Sequence, residues 1–229
     1  MTLNEMIFKR KSCRSFTGKP VDGSMIEKIL SFDLKPLYPE IKVRMDIVPR
    51  NQVKCICPWT TPQLITIYSE EAEGYLENIG FLFQQMDLYL QTMGLGVCWL
   101  GMGRMNPKTT AAVEGMKFVI MLAFGHPKGD QLRHDGKGFK RKPMEQITDK
   151  PDAKLEPARL APSAVNSQPW YFTHEGDTVH VYCSQKGSRL DAGIALAHLY
   201  VSNEDTFRFC KADPIPDLPG YAYIGSVTL

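Results

Sequence analysis

The sequence lacks several features that would assign it to a class at once. No apolar run approaches the ~20 residues that span a bilayer, so we predict no membrane segment. The net charge of +2, without a long basic stripe and interleaved aromatics, gives no electrostatic basis for nucleic-acid binding. The basic residues near the N-terminus are not followed by an apolar stretch. We therefore predict no signal peptide and expect a cytoplasmic protein.

Cysteine and histidine are too sparse for a disulfide scaffold or a clear metal motif. Six cysteines in 229 residues do not form a disulfide framework. Cys55 and Cys57 are the one close pair, without a second pair or histidines at metal spacing, so we predict no zinc site. Cys98 and Cys210 lie in apolar runs and are predicted to be small core residues.

Hydrophobic periodicity predicts both helices and strands. Ser24 and Glu27 form a capping-box pattern that would begin a helix reaching about Asp33. Residues 73–93 are apolar almost all round at helical spacing, which indicates a central helix. The other predicted elements are strands at 63–68, 117–124, 170–173, 178–183 and 221–229, and helices at 152–160 and 190–201.

A polar loop between a helix-like run and a strand-like run is the most informative segment. It spans 161–170 and reads APSAVNSQPW, with a proline near each end that favours a helix stop and an extended exit. Ser163, Asn166 and Gln168 offer hydrogen-bond donors and acceptors without charge. Such groups suit a flat heterocycle with imide edges, such as a flavin. The alternative is an ordinary helix-to-strand connection.

A basic segment near the N-terminus offers a second type of ligand chemistry. Residues 9–16 read KRKSCRSF, and Arg10, Ser12 and Arg14 alternate, so on an extended segment their side chains would point one way. Two guanidiniums and a hydroxyl match a phosphate in charge and geometry. The alternative is a solvated basic terminus.

Two further segments fit the same ligand. Residues 94–101 read GLGVCWLG, and their glycines would let the main chain approach a planar ligand closely. The alternative is a helix end at Gly94 followed by a buried strand. Residues 125–127 read GHP and are followed by KRKP at 140–143, which could return basic side chains to a phosphate or form a basic surface loop.

Together these four segments, which are spread along the chain from residue 9 to residue 170, resemble the FMN-dependent nitroreductase family. The resemblance implies an α+β fold with an antiparallel or mixed sheet and central helices. It implies that phosphate is held by Arg10, Ser12, Arg14 and Arg141, and that the flavin ring is addressed by Ser163, Asn166 and the backbone of Leu100 and Gly101. The full set of implied cofactor-binding residues is Arg10, Lys11, Ser12, Arg14, Leu100, Gly101, Lys140, Arg141, Pro162, Ser163, Ala164, Asn166 and Gln168.

The function implied by this resemblance is that of an FMN-dependent oxidoreductase. Hydride would pass from NAD(P)H through the flavin to a nitroaromatic or quinone-like acceptor. No catalytic side chain and no metal ligand is assigned. A flavin store or sensor without turnover is the alternative from another class, and a scaffold that binds no flavin is a third.

The order of predicted helices and strands repeats along the chain, which predicts two pseudo-symmetric halves at 1–150 and 151–229. In each half a helix leads to a proline loop, and a strand then leads to a longer helix with a glycine near its start. The first loop, around Pro36, lacks the serine and asparagine that follow Pro162. The second half in turn lacks the Arg-x-Ser-x-Arg pattern. We therefore predict a monomeric pseudo-dimer with one intact flavin site, similar to nitroreductases with fused, degenerate halves.

Overall fold

The structure is a computed structural model that describes residues 1–55, 57, 59, 61–109, 113–134 and 138–229. The helices are α1 (Leu3–Ile7), α2 (Gly23–Leu30), α3 (Tyr75–Thr92), α4 (Glu156–Leu160) and α5 (Arg189–Ser202). The strands are β1 (Val43–Pro49), β2 (Val53–Lys54), β3 (Gln63–Ser69), β4 (Gly96–Leu100), β5 (Arg104–Met105), β6 (Lys117–Gly125), β7 (Trp170–Glu175), β8 (Thr178–Ser184), β9 (Arg208–Cys210) and β10 (Tyr221–Thr228). This mixture of helices and antiparallel sheets confirms the predicted α+β class.

The chain divides into two compact units that interleave along the sequence. The first unit comprises Met1–Leu34, Pro39–Tyr75 and Met86–Asp135. The second comprises Lys35–Tyr38, Leu76–Gln85 and Gly136–Leu229. The predicted halves 1–150 and 151–229 are defined by a sequence repeat rather than by compactness, and that division stays a prediction.

Each unit contains a four-stranded sheet of the same topology. The sheet of the first unit has the order β1-β3-β6-β4, and that of the second has the order β7-β8-β10-β9. All neighbouring strands within both sheets are antiparallel. Numbered along the chain within its own sheet, each has the strand order 1-2-4-3. In both, a long helix (α3 or α5) joins the second strand to the third.

The interior strands are buried runs rich in β-branched residues. β3 lies between β1 and β6, and its residues from Leu64 to Ser69 are all buried. A strand covered on both faces reads as a continuous apolar run, which is why the sequence predicted it within a residue of its observed end.

Helix α3 is buried on all sides, as its periodicity predicted. Every residue from Glu77 to Leu88 is buried, including several polar ones. The buried polar side chains have partners because an unpaired polar group in the core costs about 1–3 kcal/mol. Within the second unit the pairs are Glu77 with Arg189, Asn78 with the amides of Leu37 and Tyr38, Gln84 with His198, and Gln85 with the backbone of Lys35.

Within the second unit, α5 and the start of α3 approach backbone to backbone through two glycines. A Cβ at Gly80 would overlap the carbonyl oxygen of Leu190, and a Cβ at Gly193 would overlap that of Glu77. Leu190 lies three residues before Gly193, and Glu77 lies three residues before Gly80. The contact is therefore reciprocal, as across a two-fold interface.

Two local predictions were wrong. Helix α2 begins at Gly23 and is capped by Asp22, whose carboxylate accepts from the Met25 amide at 3.0 Å, while the Ser24 hydroxyl donates to the same carboxylate. Asp22 and Ser24 are both residue types that cap helices, and the charged one, Asp22, is the N-cap of α2. Cys210 is exposed instead of buried, because β9 is the edge strand of its sheet, next to β10.

Candidate functional site

The basic segment of the first unit is anchored to α3 through its first arginine. Arg10 is 1% exposed, and its Nη2 lies 3.3 Å from Asp87 Oδ2 and 3.4 Å from the Ser12 hydroxyl, to which it donates. The Lys11 amide donates to the Gln91 side-chain oxygen at 3.2 Å. Asp87 and Gln91 are one helical turn apart, so α3 fixes the segment at two successive residues.

The three alternating residues are not equally accessible. Arg10 is buried, Ser12 is half-buried and Arg14 is exposed. Arg10 turns inward because the Asp87 carboxylate compensates its charge, without which burial would be very unfavourable. Arg14 is therefore the more accessible guanidinium of the pattern.

Arg133 is a residue that sequence reasoning missed. Its Nη1 donates to the carbonyl oxygen of Arg10, and its amide donates to that of Lys9 at 2.7 Å. Burial, and then the nearby charge of Arg10, lower the pKa of Arg133. No motif around Arg133 pointed to this role, because its contact with Arg10 joins segments more than a hundred residues apart.

The glycine segment and the basic segment are paired in the first unit. Ser12 forms a parallel bridge with Val97, and the Cys13 amide donates to the Val97 carbonyl at 2.8 Å. Gly96 permits this approach, because a Cβ there would overlap the Cys13 side chain. The alternative interpretation of this segment holds locally: residues 96–100 form the buried strand β4. The predicted Gly101 follows that strand and is exposed.

In the second unit, the polar loop after α4 has an unusual backbone. Val165, Asn166 and Gln168 have φ of +47°, +58° and +45°. Asparagine tolerates this left-handed region, whereas a β-branched valine there is strained by about 1–3 kcal/mol. Val165 is 98% exposed, so packing of its own side chain does not impose the conformation.

Hydrogen bonds within the second unit impose that conformation instead. The Ser163 hydroxyl accepts from the Gln168 amide at 2.9 Å. Arg141 Nη1 donates to Asn166 Oδ1 at 2.6 Å, and Asn166 Nδ2 donates to the Lys140 carbonyl at 2.7 Å. The structure thus brings together five of the residues singled out in the sequence, from two segments more than twenty residues apart.

A buried carboxylate supports the loop from α5. The Ala164 amide lies 3.2 Å from both oxygens of Asp191, which is 3% exposed. Burial raises the pKa of Asp191 to about 6, although the bond from Ala164 opposes the shift. Asn78 has the matching role at the other loop of this unit, where it accepts from the amides of Leu37 and Tyr38.

Asp191 and Asn78 each lie two residues before the glycine of their helix, Gly193 or Gly80. Ala164 and Tyr38 each lie two residues after the proline of their loop, Pro162 or Pro36. The sequence repeat predicted these two loops and helices as counterparts. It did not predict the hydrogen bond that joins each loop to its helix.

A second hydrogen-bonded cluster in the same unit resembles a hydrolytic arrangement but is inaccessible. His180 Nδ1 lies 2.7 Å from the Ser226 hydroxyl, and His180 Nε2 lies 2.9 Å from Glu175 Oε2. Ser226 is 1% exposed and also contacts the Tyr223 hydroxyl at 2.6 Å. A nucleophile must reach its substrate, so this cluster stabilises the second sheet rather than serving as a catalytic triad.

None of the helices in the described part of the chain has the length and apolar character that a membrane span requires. Among the same residues, no group of three or more histidine, cysteine, aspartate or glutamate side chains is arranged to hold a metal ion.

Known proteins were compared with the chain by family, by sequence and by structure. A family model described as "Putative TM nitroreductase" matches residues 2–203. A search of curated proteins finds no match to this sequence. A solved "putative nitroreductase" from Thermotoga maritima MSB8 is 20% identical, with a TM-score of 0.69 over 99% of this chain and 92% of its own.

Two shorter solved proteins also align. A nitroreductase family protein from Clostridium difficile 630 is 15% identical, with a TM-score of 0.50 over 64% of this chain and 96% of its own. An FMN-dependent nitroreductase from Clostridium difficile R20291 is 14% identical, with a TM-score of 0.44 over 57% of this chain and 91% of its own. The Thermotoga maritima protein shows the fold over nearly the whole length. Because the family model also spans most of the residues, this chain belongs to the nitroreductase family, a family of oxidoreductases.

Proposed function

We propose that the protein is an FMN-dependent oxidoreductase of the cytoplasm. It would pass hydride from NAD(P)H, through the flavin, to a nitroaromatic or quinone-like acceptor. The observation that carries the proposal is the strained loop 163–168, which is held in an uncommon backbone conformation by the basic segment 140–142 and by Asp191. Strain maintained by several hydrogen bonds is typical of ligand-binding segments.

The donor groups of this chain fit the chemistry of FMN. In the first unit, Arg10, Lys11, Ser12 and Arg14 form a cationic segment with a hydroxyl, which suits a phosphate. In the second unit, the loop offers hydroxyl and amide groups without a net charge, which suits the polar edges of a flavin ring. Since Asp87 compensates Arg10, the accessible charge for a phosphate is that of Lys11 and Arg14.

The proposed roles follow from these two sets of residues. Lys11, Ser12, Arg14, Lys140 and Arg141 would hold the phosphate, and Arg10, which is buried against Asp87, would orient the Ser12 hydroxyl. Leu100 and Gly101, through their backbone, and Pro162, Ser163, Ala164, Asn166 and Gln168 would contact the ring. When bound, FMN supplies the two-electron redox chemistry. The protein binds and orients it, and we assign no acid or base side chain.

One site per chain is part of the proposal. The repeated strand order, the reciprocal glycine contact and the paired supports Asn78 and Asp191 favour two fused halves, 1–150 and 151–229, related as the subunits of a dimer. The loop around Pro36 lacks the serine and asparagine of its counterpart. We therefore propose one intact flavin site and about one FMN per chain.

A flavin store or sensor is the second candidate. The observation that favours it is the loss of ligand-type residues from one of the two loops, because a protein under selection for turnover would be expected to keep both sites. A store or sensor would bind FMN with the same residues but would not accept hydride from a nicotinamide.

The decisive experiment measures binding and reduction in turn. The protein is saturated with FMN, freed of excess, and the flavin released by heat is quantified against protein. A ratio near one is expected, and a ratio near two would contradict the single site. NADH and NADPH are then added without oxygen. Bleaching of the flavin absorbance by either supports the enzyme, whereas no bleaching by either supports the store or sensor.

A matched pair of loop variants tests the role of the loop. Asn166→Ala should slow reduction at full flavin occupancy, because the ring loses a contact that sets the distance to the donor. Ser167→Ala, at an exposed neighbouring position, should leave the rate unchanged. Equal rates for both variants and the unaltered protein would remove Asn166 from the redox site.

A further inference from the structure

Two cysteines that the proposed flavin chemistry does not use lie side by side in the first unit. Cys55 Sγ and Cys57 Sγ are 3.1 Å apart, with Cys55 donating a hydrogen bond to Cys57. Both residues are half-buried and neither is in a disulfide. The separation exceeds the ~2.05 Å of a disulfide bond by an amount that small side-chain rotations can close.

The surroundings hold the pair at the edge of an apolar cluster. Both cysteines pack against core residues that include Phe16, Val53 and Leu100. On the chain immediately before them, Arg50 donates from Nη1 to the Val53 carbonyl at 2.6 Å and from Nη2 to the Cys55 carbonyl at 3.2 Å. The backbone that carries the first thiol is therefore fixed by a guanidinium.

We propose that Cys55 and Cys57 form a reversible dithiol–disulfide site that exchanges with low-molecular-weight disulfides. One thiolate attacks a sulfur of the disulfide RSSR, forms a mixed disulfide and releases the first RSH. The second thiol then displaces the other RSH and closes the Cys55–Cys57 bond. Two electrons and two protons pass from the pair to RSSR, so the protein is oxidised and two RSH are formed. This exchange does not require bound FMN.

The environment assigns an order to the two thiols. Burial, followed by the hydrogen bond and charge of Cys55, raises the pKa of Cys57 to about 11. Cys55 is therefore the attacking thiol. When Cys55 ionises, the hydrogen bond of the pair reverses, and Cys57 keeps its proton and donates it to the Cys55 thiolate. Once Cys55 is in a mixed disulfide, its contribution to that shift is lost. Cys57 then ionises more readily, and Arg50 favours its thiolate.

The other cysteines of this unit are poor competitors. Cys13 and Cys98 are buried, and burial raises the pKa of both thiols, that of Cys98 to about 11. A buried thiol among apolar groups is inert towards disulfides. A bond that closes so short a loop is strained and easily reduced, which is the behaviour of a regulatory or catalytic disulfide rather than a structural one.

The experiment uses oxidised glutathione on the whole protein, followed by alkylation of free thiols and peptide mapping under non-reducing conditions. Trypsin releases residues 55–104, which contain Cys55, Cys57 and Cys98, and chymotrypsin cuts after Trp59 to separate the pair from Cys98. We expect the 55–59 peptide to lose two hydrogens and to bind no alkylating agent. Dithiothreitol should restore both thiols. The exposed Cys210 should carry one glutathione and serves as the internal control.

Cys55→Ser and Cys57→Ser should each abolish the loss of two hydrogens, with circular dichroism used to verify folding. Three results in the unaltered protein would overturn the proposal, and they do not depend on any variant folding. They are glutathione on both cysteines, a bond from either to Cys13 or Cys98, and free thiols at both positions while Cys210 is modified.

Discussion

At the residue scale, partners distant in sequence decide what each polar side chain can do. The sequence predicted Arg10 as a phosphate ligand but did not predict its burial, because its counter-charge lies on α3 at Asp87. It identified Asn166 and Arg141 as separate signals, and the structure adds the 2.6 Å bond between them. Spacing along a chain predicts residue types for a ligand. It cannot predict which of them the protein itself already engages.

Arg14 offers the cleanest test of the phosphate assignment, since it is exposed and its loss should not disturb the core. Arg14→Ala should weaken FMN roughly tenfold or more, the usual effect of removing a charge-assisted contact. Riboflavin, which has no phosphate, should be affected little. Fluorescence titration of both flavins measures this, with Arg104→Ala, an exposed arginine outside the segment, as the control. Equal losses for the two flavins would reject the assignment.

Asp191 gives the protein a predictable dependence of stability on pH. Its carboxyl has a pKa of about 6 in the folded state against 3.8 in the reference state, so the folded protein binds the proton more tightly. This stabilisation is present below pH 4 and is lost as the pH rises through about 6. A pKa shift of this size corresponds to a change on the order of 3 kcal/mol in the free energy of unfolding between low and high pH.

Asp191→Asn removes this titration and keeps an oxygen for the Ala164 amide, as Asn78 does for the other loop. The variant should melt well above the unaltered protein at pH 7.5 and close to it at pH 4. Asp205→Asn, at an exposed position, changes the net charge equally and should show no such trend. A melting-temperature difference that is the same at both pH values would contradict the assigned pKa.

At the element scale, periodicity predicted the deeply buried elements well and the half-buried or short ones poorly. Helices α3 and α5, and strands β3 and β6, are buried runs whose pattern is repeated enough times to be read. The sequence did not predict β1, which has seven mostly half-buried residues at a sheet edge, β9, which has three residues at a sheet edge, or α1, which has five. Elements that are half-buried or short depend on tertiary contacts more than on their own pattern.

The glycine crossing of α3 and α5 predicts a strong effect from a single methyl group. Gly80→Ala would press a Cβ against the backbone oxygen of Leu190, which cannot rotate away. The free energy of unfolding, measured in urea, should fall by an amount on the order of 1–3 kcal/mol or more. Gly193→Ala should cost a similar amount, because its contact is the reciprocal one.

Gly23→Ala is the matched control for both glycine variants. It places the same methyl group on helix α2, where no atom of the described residues outside the immediate chain neighbours and the helix backbone lies within 4 Å. It should be neutral or slightly stabilising, since alanine favours helix more than glycine does. If Gly80→Ala is equally harmless, the close approach of the two helices is wrong.

At the scale of the whole molecule, the repeat of two halves, 1–150 and 151–229, stays a prediction from the sequence. Matching element order suggested two halves, with very little identity between them. The shared 1-2-4-3 strand order and the matched loop supports give that suggestion physical content. These features depend on strand pairing and on single hydrogen bonds, and neither can be predicted from one sequence.

The repeat also leads to a prediction about assembly. In a dimer of identical subunits, a reciprocal helix contact such as that of Gly80 and Gly193 forms between two chains. Here the contact forms within one chain and within one compact unit, so the surface that would drive association is already buried. We therefore expect a folded monomer with one FMN. Light scattering coupled to gel filtration should give the mass of one chain, 25.8 kDa, at every concentration and with or without FMN. A dimer that persists on dilution would contradict the internal pseudo-dimer, because a second, unassigned surface would then be needed to hold it together.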